Sequence, residues 1–171
     1  MSAATKIALQ IVTPSGVALE RSVDEMTAPS VEGQFGVLPG HRPLVASLRT
    51  GLVNVRVGND ETRYAVGDGF VEVFEDRAVL ITERFSTHEA IDPVQVRLDM
   101  KDATAVIEKA ATETVGEAAF REAVTKQHWA AALLELHGDP PAALYGGQLE
   151  PSAAGNLIPA PAPAPEGDAK H

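Results

Sequence analysis

VEGQFGVLPGHRPL, residues 31–44, carries glycine at Gly33, Gly36 and Gly40 and proline at Pro39 and Pro43. Glycine admits positive φ and close backbone approach, whereas proline fixes φ and removes a donor. Interleaved with them are Phe35, Val37, Leu38 and Leu44, which can still reach a core. This composition predicts a tightly shaped turn between strands, with Gln34, His41 and Arg42 displayed outward. The five glycines and prolines set its shape, and the three polar side chains are its candidate partner contacts.

On either side of this stretch the pattern alternates. Residues 6–13 place Ile7, Leu9 and Ile11 on one face, and Pro14-Ser15-Gly16 turns the chain. Further strands are expected over 17–19, 23–29 and 44–48. Residues 52–57 alternate Val53, Val55 and Val57 against Asn54 and Arg56, and 61–66 return across Gly58-Asn59-Asp60. A last hairpin joins 70–74 to 77–82. Short strands at this spacing, punctuated by turn residues, predict an antiparallel β-sandwich of about ten strands.

The period changes at Ile91. Asp92-Pro93 reads as an N-cap followed by proline at the first helical position, with Gln95 completing a capping box. The helix is expected to run to about residue 111, with Val94, Leu98, Ala105 and Val106 near one face. Thr114 and Glu117 form a second capping box before a helix through Phe120, Val124, Ala131 and Leu134. Gly138-Asp139-Pro140-Pro141 stops that helix, giving an αα-hairpin. Much of its apolar content is alanine, which buries little area at about 25 cal/mol per Å². Weak docking and movement of the hairpin are therefore expected. From Gly146 onward the chain turns to Gly, Ala and Pro, ending APAPAPEGDAKH. Alternating proline favours extended polyproline conformation. The expected organisation is a sandwich over 1–88, a helical hairpin over 89–140 and a disordered Ala/Pro-rich tail over 141–171.

The run EGQFGVLPGHRPL resembles the E-G-x-x-G-x-x-P-G-H-x-P-L signature of the epsilon subunit of bacterial F-type ATP synthases. Gly67-Asp68-Gly69-Phe70-Val71-Glu72-Val73 is similar to the same family's second landmark, which usually has a Gly pair at Asp68-Gly69. The resemblance implies a non-catalytic rotor subunit of the central stalk, whose sandwich joins the gamma subunit to the polar loops of the c-ring. It places Gln34 and His41 at family contact positions, with Gln34 where many members have glutamate. It also implies that the hairpin can reach the catalytic alpha and beta subunits. The implied location is peripheral, on the cytoplasmic face of the bacterial inner membrane. Some members bind ATP through an I-D-x-x-R-A motif. Here Ile91 and Asp92 match, but Gln95 and Val96 stand in the last two positions. Without the guanidinium, the strongest phosphate partner is missing.

Composition narrows the alternatives. The 171 residues carry a net charge of −10 and no cysteine. Up to Ala90 there are 8 basic and 12 acidic residues, then 5 and 8 to Gly138, and 1 and 4 thereafter. No segment is a basic arm, which argues against nucleic acid and against anionic lipid. No apolar run reaches the roughly 18 residues of a membrane span, so no direct insertion is expected. The N-terminus lacks the basic and apolar regions of a signal peptide, which points to a cytoplasmic location. The five histidines show no H-x-x-x-H pattern, and the three glycines lack the spacing of a phosphate loop, so neither metal nor cofactor is implied. Trp129 and Phe120 fall at helical spacing and read as packing rather than as a ligand box. Two other readings stand beside the rotor subunit. One is a small hydrolase using His41 with Asp68 or His88. The other is a sugar- or ligand-binding sandwich module, for which 5% aromatic content supplies few platforms.

Overall fold

Strand β1 (Ile7–Thr13) opens the fold, with Ile7, Leu9 and Ile11 pointing inward and fully buried. The computed structural model describes residues 6–141, together with the backbone of two short strands beyond them. β1 turns into β2 (Gly16–Val23), with a register shift between Ile11 and Val12. β3 (Glu25–Ser30) pairs with β4 (Gly33–Val37) around the two-residue turn Val31-Glu32. β5 (Leu44–Leu48), β6 (Gly51–Val57), β7 (Asp60–Val66), β8 (Gly69–Phe74) and β9 (Arg77–Thr82) follow, and β10 (Phe85–Ser86) closes on β7.

These ten strands form one folded sheet that makes two layers. β4, β3, β6, β7 and β10 form one layer, and β5, β8, β9, β1 and β2 form the other. The layers are continuous at a single pairing, Ser30 with Leu48, where Arg49 N donates to Pro29 O and Val31 N to Ser47 O. The pairing is antiparallel except between β1 and β9, which run parallel. Those two strands are distant in sequence, so no hairpin imposes a direction on them. Between the layers lie Ile7, Leu9, Ile11, Met26, Val53, Val55, Val71 and Leu80. Each such side chain contributes about 1.5–3 kcal/mol by leaving water.

Residues 31–44 are therefore not one loop. Phe35 and Val37 alternate inward, and this period of two makes Gly33–Val37 a strand. Gly33 takes φ +120°, and the Ser30 hydroxyl donates to its carbonyl at 2.6 Å, which closes the turn. Only residues 38–43 remain as loop.

After a 3₁₀ turn (His88–Ala90), α1 (Pro93–Ala110) begins as expected. The Asp92 carboxylate accepts from Val94 N and Gln95 N. Gln95, however, does not complete a capping box; its side-chain amide donates to Asp99 Oδ1 at 3.1 Å. The buried face of α1 is Val96, Ala103 and Ile107, whereas Val94 and Leu98 are exposed. The helix carries two apolar stripes, and the expected one is not the one that packs. α2 (Glu117–His137) starts with Gly116 as its N-cap and no side-chain cap, so the Thr114 capping box does not form. α2 lies between α1 and the outer face of β6 and β7. Leu136 meets Leu52 and Ala65 there, with Ile91, Trp129 and Leu133 around them. Gln127 donates to Thr104 at 2.9 Å across the two helices. Two short strands, β11 (Ala143–Leu144) and β12 (Gly147–Gln148), pair antiparallel inside the stretch expected to be disordered. The expected disorder of residues 149–171 lies outside the described residues.

Candidate partner-binding site

The loop of residues 38–43 leaves β4 at one end of the sandwich, beside the turn between β8 and β9. Gly40 has φ +78°, a left-handed conformation that suits glycine. His41 N donates to Leu38 O at 3.0 Å, and Gly40 N donates to Asp76 Oδ1 at 2.5 Å. His41 Nδ1 lies 2.7 Å from the Arg42 carbonyl oxygen. A carbonyl only accepts, so Nδ1 carries the proton and Nε2 is the nitrogen left for a partner. Arg42 and Pro43 are exposed. Pro39 and Pro43 bracket this turn.

Gln34 stands apart from that loop. It projects from β4 into a shallow depression on the outer face of its layer, lined also by Glu25, Thr27, Asn54, Arg56 and Glu61. Asn54 donates to Thr27 there at 2.9 Å, and Arg56 pairs with Glu25. Gly36, on the same strand, has no positive φ, and a β-carbon there would meet Thr27 only in ordinary contact, at 3.7 Å. The five structural positions thus divide: Gly33 and Gly36 belong to β4, and Pro39, Gly40 and Pro43 to the loop.

A third surface was missed in the sequence. On the outer face of the β5-β8-β9 layer, Val45 is 75% exposed, Phe70 55%, Phe74 52% and Ile81 48%. Phe70 and Ile81 are direct cross-strand partners. Beside them, Glu72, Phe74, Arg77 and Val79 line a groove of about 320 Å³. The signal was present in β8, GFVEVF, which puts Val71 and Val73 on one face and Phe70 and Phe74 on the other. A strand apolar on both faces has two surfaces to cover. Only one of them is covered by this chain among the described residues.

The residues of the hydrolase reading are not brought together. Asp68 lies at the opposite end of β5 from the loop, about 13 Å of strand away, and accepts from Thr50 N and Thr50 Oγ1 at 2.7 and 2.8 Å. His88 stacks on His137, with ring centres 5.5 Å apart. At the helical end, a cavity of about 410 Å³ is lined by Arg84, Val96, Asp99, Lys126, Trp129 and Leu133, among others. Its cations are engaged: Lys126 pairs with Asp99 at 3.5 Å, and Arg84 lies over the Trp129 ring at 5.9 Å. Next to it, burial holds the His128 imidazole below its ordinary pKa, with Arg49 adding to the effect and Asp68 opposing it. Burial pushes the Glu135 carboxyl up, against the pull of Arg63.

Residues 6–88 match the family model described as ATP synthase, Delta/Epsilon chain, beta-sandwich domain. The epsilon chain of Rhodospirillum centenum is 32% identical over 124 residues, covering 65% of this chain and 85% of that one. The chain belongs to the ATP synthase epsilon family. Epsilon chain 2 of Syntrophotalea carbinolica is 46% identical over 89 residues, 52% of this chain. The match spans 64% of that relative's length. In fold, this epsilon-family chain is similar to a chain in the Euglena gracilis mitochondrial ATP synthase OSCP/F1/c-ring structure. The TM-score is 0.65 at 22% identity, with 79% of this chain and 82% of that one covered.

Proposed function

We propose that this epsilon-family chain is a non-catalytic rotor subunit of a proton-translocating F-type ATP synthase. In this reading it joins the gamma shaft to the c-ring at the cytoplasmic face of the bacterial inner membrane. The observation that carries it is the apolar outer face of Val45, Phe70, Phe74 and Ile81. An exposed apolar patch of this kind is the mark of a protein interface; Glu72 stands within it, between Phe70 and Phe74 and opposite Val45, and Arg77 edges it opposite Phe74. The chemistry suits a long apolar shaft rather than a solute. The polar loops of the c-ring would meet Gln34, His41 and Arg42, whose side chains offer hydrogen bonds and one positive charge. Torque passes through a joint of this kind only if it is stiff, and a close-packed sandwich core supplies that stiffness. The solved structures that share the fold include the Tetrahymena thermophila mitochondrial central stalk and c-ring, at TM-score 0.52 and 15% identity. No helix among the described residues is long and apolar enough to cross a membrane.

Co-purification tests the reading. The chain is expected to capture a gamma-type coiled-coil shaft, and Phe70→Asp is expected to abolish capture while leaving the melting temperature unchanged. Capture undiminished in Phe70→Asp would move the shaft contact elsewhere. Turnover of ester or peptide substrates by the isolated chain would favour the hydrolase reading.

A further inference from the structure

The turn between β8 and β9 is built from the wrong residues for its shape. Glu75 has φ +46° and Asp76 φ +57°, and they are the two positive-φ residues other than glycine among those described. Phe74 pairs with Arg77, so these two alone make the hairpin loop. Two-residue hairpins with positive φ at both positions favour Asn-Gly or Asp-Gly, with glycine second. Here the second position holds aspartate instead. A residue kept in a strained conformation needs a compensating use, and the structure supplies one. The Asp76 carboxylate accepts from Gly40 N at 2.5 Å, across 36 residues of chain, and the Asp76 carbonyl accepts from Ala8 N at 2.8 Å. Asp76 therefore ties three segments together at one end of the sandwich: the start of β1, the β8–β9 turn and the loop of residues 38–43.

We infer that Asp76 is the positioning residue of the His41–Arg42 loop: its carboxylate holds the Gly40 peptide and so fixes where His41 and Arg42 stand. Neither residue makes the connection alone. Gly40, at φ +78° with open space around it, can turn its N–H toward the acceptor. Asp76, in the left-handed conformation, can place its carboxylate under that N–H. A charged acceptor on a backbone N–H gives a shorter, stronger bond than a neutral one. The geometry belongs to this chain whatever the loop touches; its importance for coupling rests on the rotor reading above.

Two substitutions separate positioning from mere stability. Asp76→Gly removes the acceptor and relieves the strained φ, whereas Asp76→Asn keeps an acceptor oxygen and the same shape. The measurements are amide NMR of the folded chain, thermal melting, and proton pumping by the complex reassembled with each variant. In the native chain the Gly40 amide proton is expected downfield, as befits a short bond to a charged acceptor. Asp76→Gly is expected to melt at or above the native temperature, to lose the downfield shift and to disturb the His41 and Arg42 resonances. Asp76→Asn is expected to keep the loop resonances in place, with the Gly40 downfield shift only reduced because its acceptor is now neutral. A Gly40 resonance unmoved in Asp76→Gly would overturn the assignment. So would an Asp76→Asn variant whose loop resonances move as far as those of Asp76→Gly. Loss of the Gly40 shift with proton pumping intact would uphold the positioning role and refute the loop's part in the rotor joint.

Discussion

At the scale of single residues, two glycines answer to different constraints. A β-carbon at Gly69 would sit 1.9 Å from the Ile81 carbonyl oxygen and 2.9 Å from Thr82 Cα. Those are backbone atoms of the neighbouring strand, so the clash cannot be relieved by a side-chain rotation. Gly40 has nothing within 4 Å, and its constraint is φ +78° alone. Gly69→Ala is therefore expected to cost about 3 kcal/mol or more, since the β8–β9 pairing must open. Gly40→Val is expected to cost about 1–2 kcal/mol, the penalty of the left-handed region, and to uncouple hydrolysis from pumping in the assembled complex. Urea midpoints order the two, and a Gly40→Val chain less stable than Gly69→Ala would reverse the assignment. Unchanged stability and coupling in Gly40→Val would remove the case for a rigid loop. In the sequence Gly40 reads as a turn glycine, and Gly69 only as part of the second family landmark, with no sign of what requires it. The distinction depends on Ile81, twelve residues away and across a strand, and local pattern carries no trace of that contact.

At the scale of elements, the docking of α2 on β6 and β7 carries a pH dependence with two opposing parts. His128 has its pKa lowered by burial, so the undocked state binds the proton more readily. Docking is then at full strength above about pH 6.5, the ordinary histidine value, and weakens as pH falls through that value toward the lowered one. Glu135 has its pKa raised by burial, so it resists ionisation while docked. Its contribution is present below the ordinary carboxyl range and is lost as pH rises through the raised value. Trp129, the single tryptophan, sits in this interface beside Arg84 and reports on it. Its emission is expected to shift to the red as pH drops from 7.5 to below 6.5, and His128→Gln is expected to abolish that step. Glu135→Gln is expected to stabilise docking at pH 8 and not at pH 4; equal effects at both would mean that the carboxylate charge is not the cause. The strands were legible because period-two alternation and turn residues mark them directly. β4 was not, because its glycines speak for a turn while only Phe35 and Val37 speak for a strand. The packing face of α1 was misread for a different reason. Val94 with Leu98 and Val96 with Met100 are equally good i, i+4 pairs, and only the position of α2 chooses between them.

At the scale of the whole molecule, charge decides how strongly an extended hairpin could grip an acidic surface. The candidate site was legible as a loop but not as a surface: His41 and Arg42 come from it, while the apolar face is assembled from β5, β8 and β9 by pairing that no local pattern specifies. The hairpin raises the reverse question, since its sequence offers cations whose availability only the structure reveals. From Thr114 to Gly138 there are two cations and three carboxylates, a charge of −1 with histidine neutral. Arg121 pairs with Glu117 at 3.3 Å, Lys126 with Asp99 at 3.5 Å, and on α1 Arg97 pairs with Asp139 at 2.6 Å. The Arg121 pair is internal to α2 and would travel with it if the hairpin opened. The Lys126 and Arg97 pairs join α1 to α2 and its C-terminal end, so opening would release both partners and leave the net charge unchanged. Electrostatic attraction to an acidic partner requires positive potential, and near neutral pH this helix has none to offer. Acid relieves this in two ways. Protonation of His128 favours the undocked hairpin and brings the charge of this helix from −1 to 0, which removes its net repulsion from an acidic surface. Inhibition of ATP hydrolysis by the hairpin is therefore expected to be weak at pH 8 and stronger at pH 6. Deleting residues 91–171 and assaying hydrolysis by the reassembled complex at both values measures it, with activation expected to be larger at pH 6. Activation at pH 8 equal to or above that at pH 6 would show that the hairpin acts by some means other than charge.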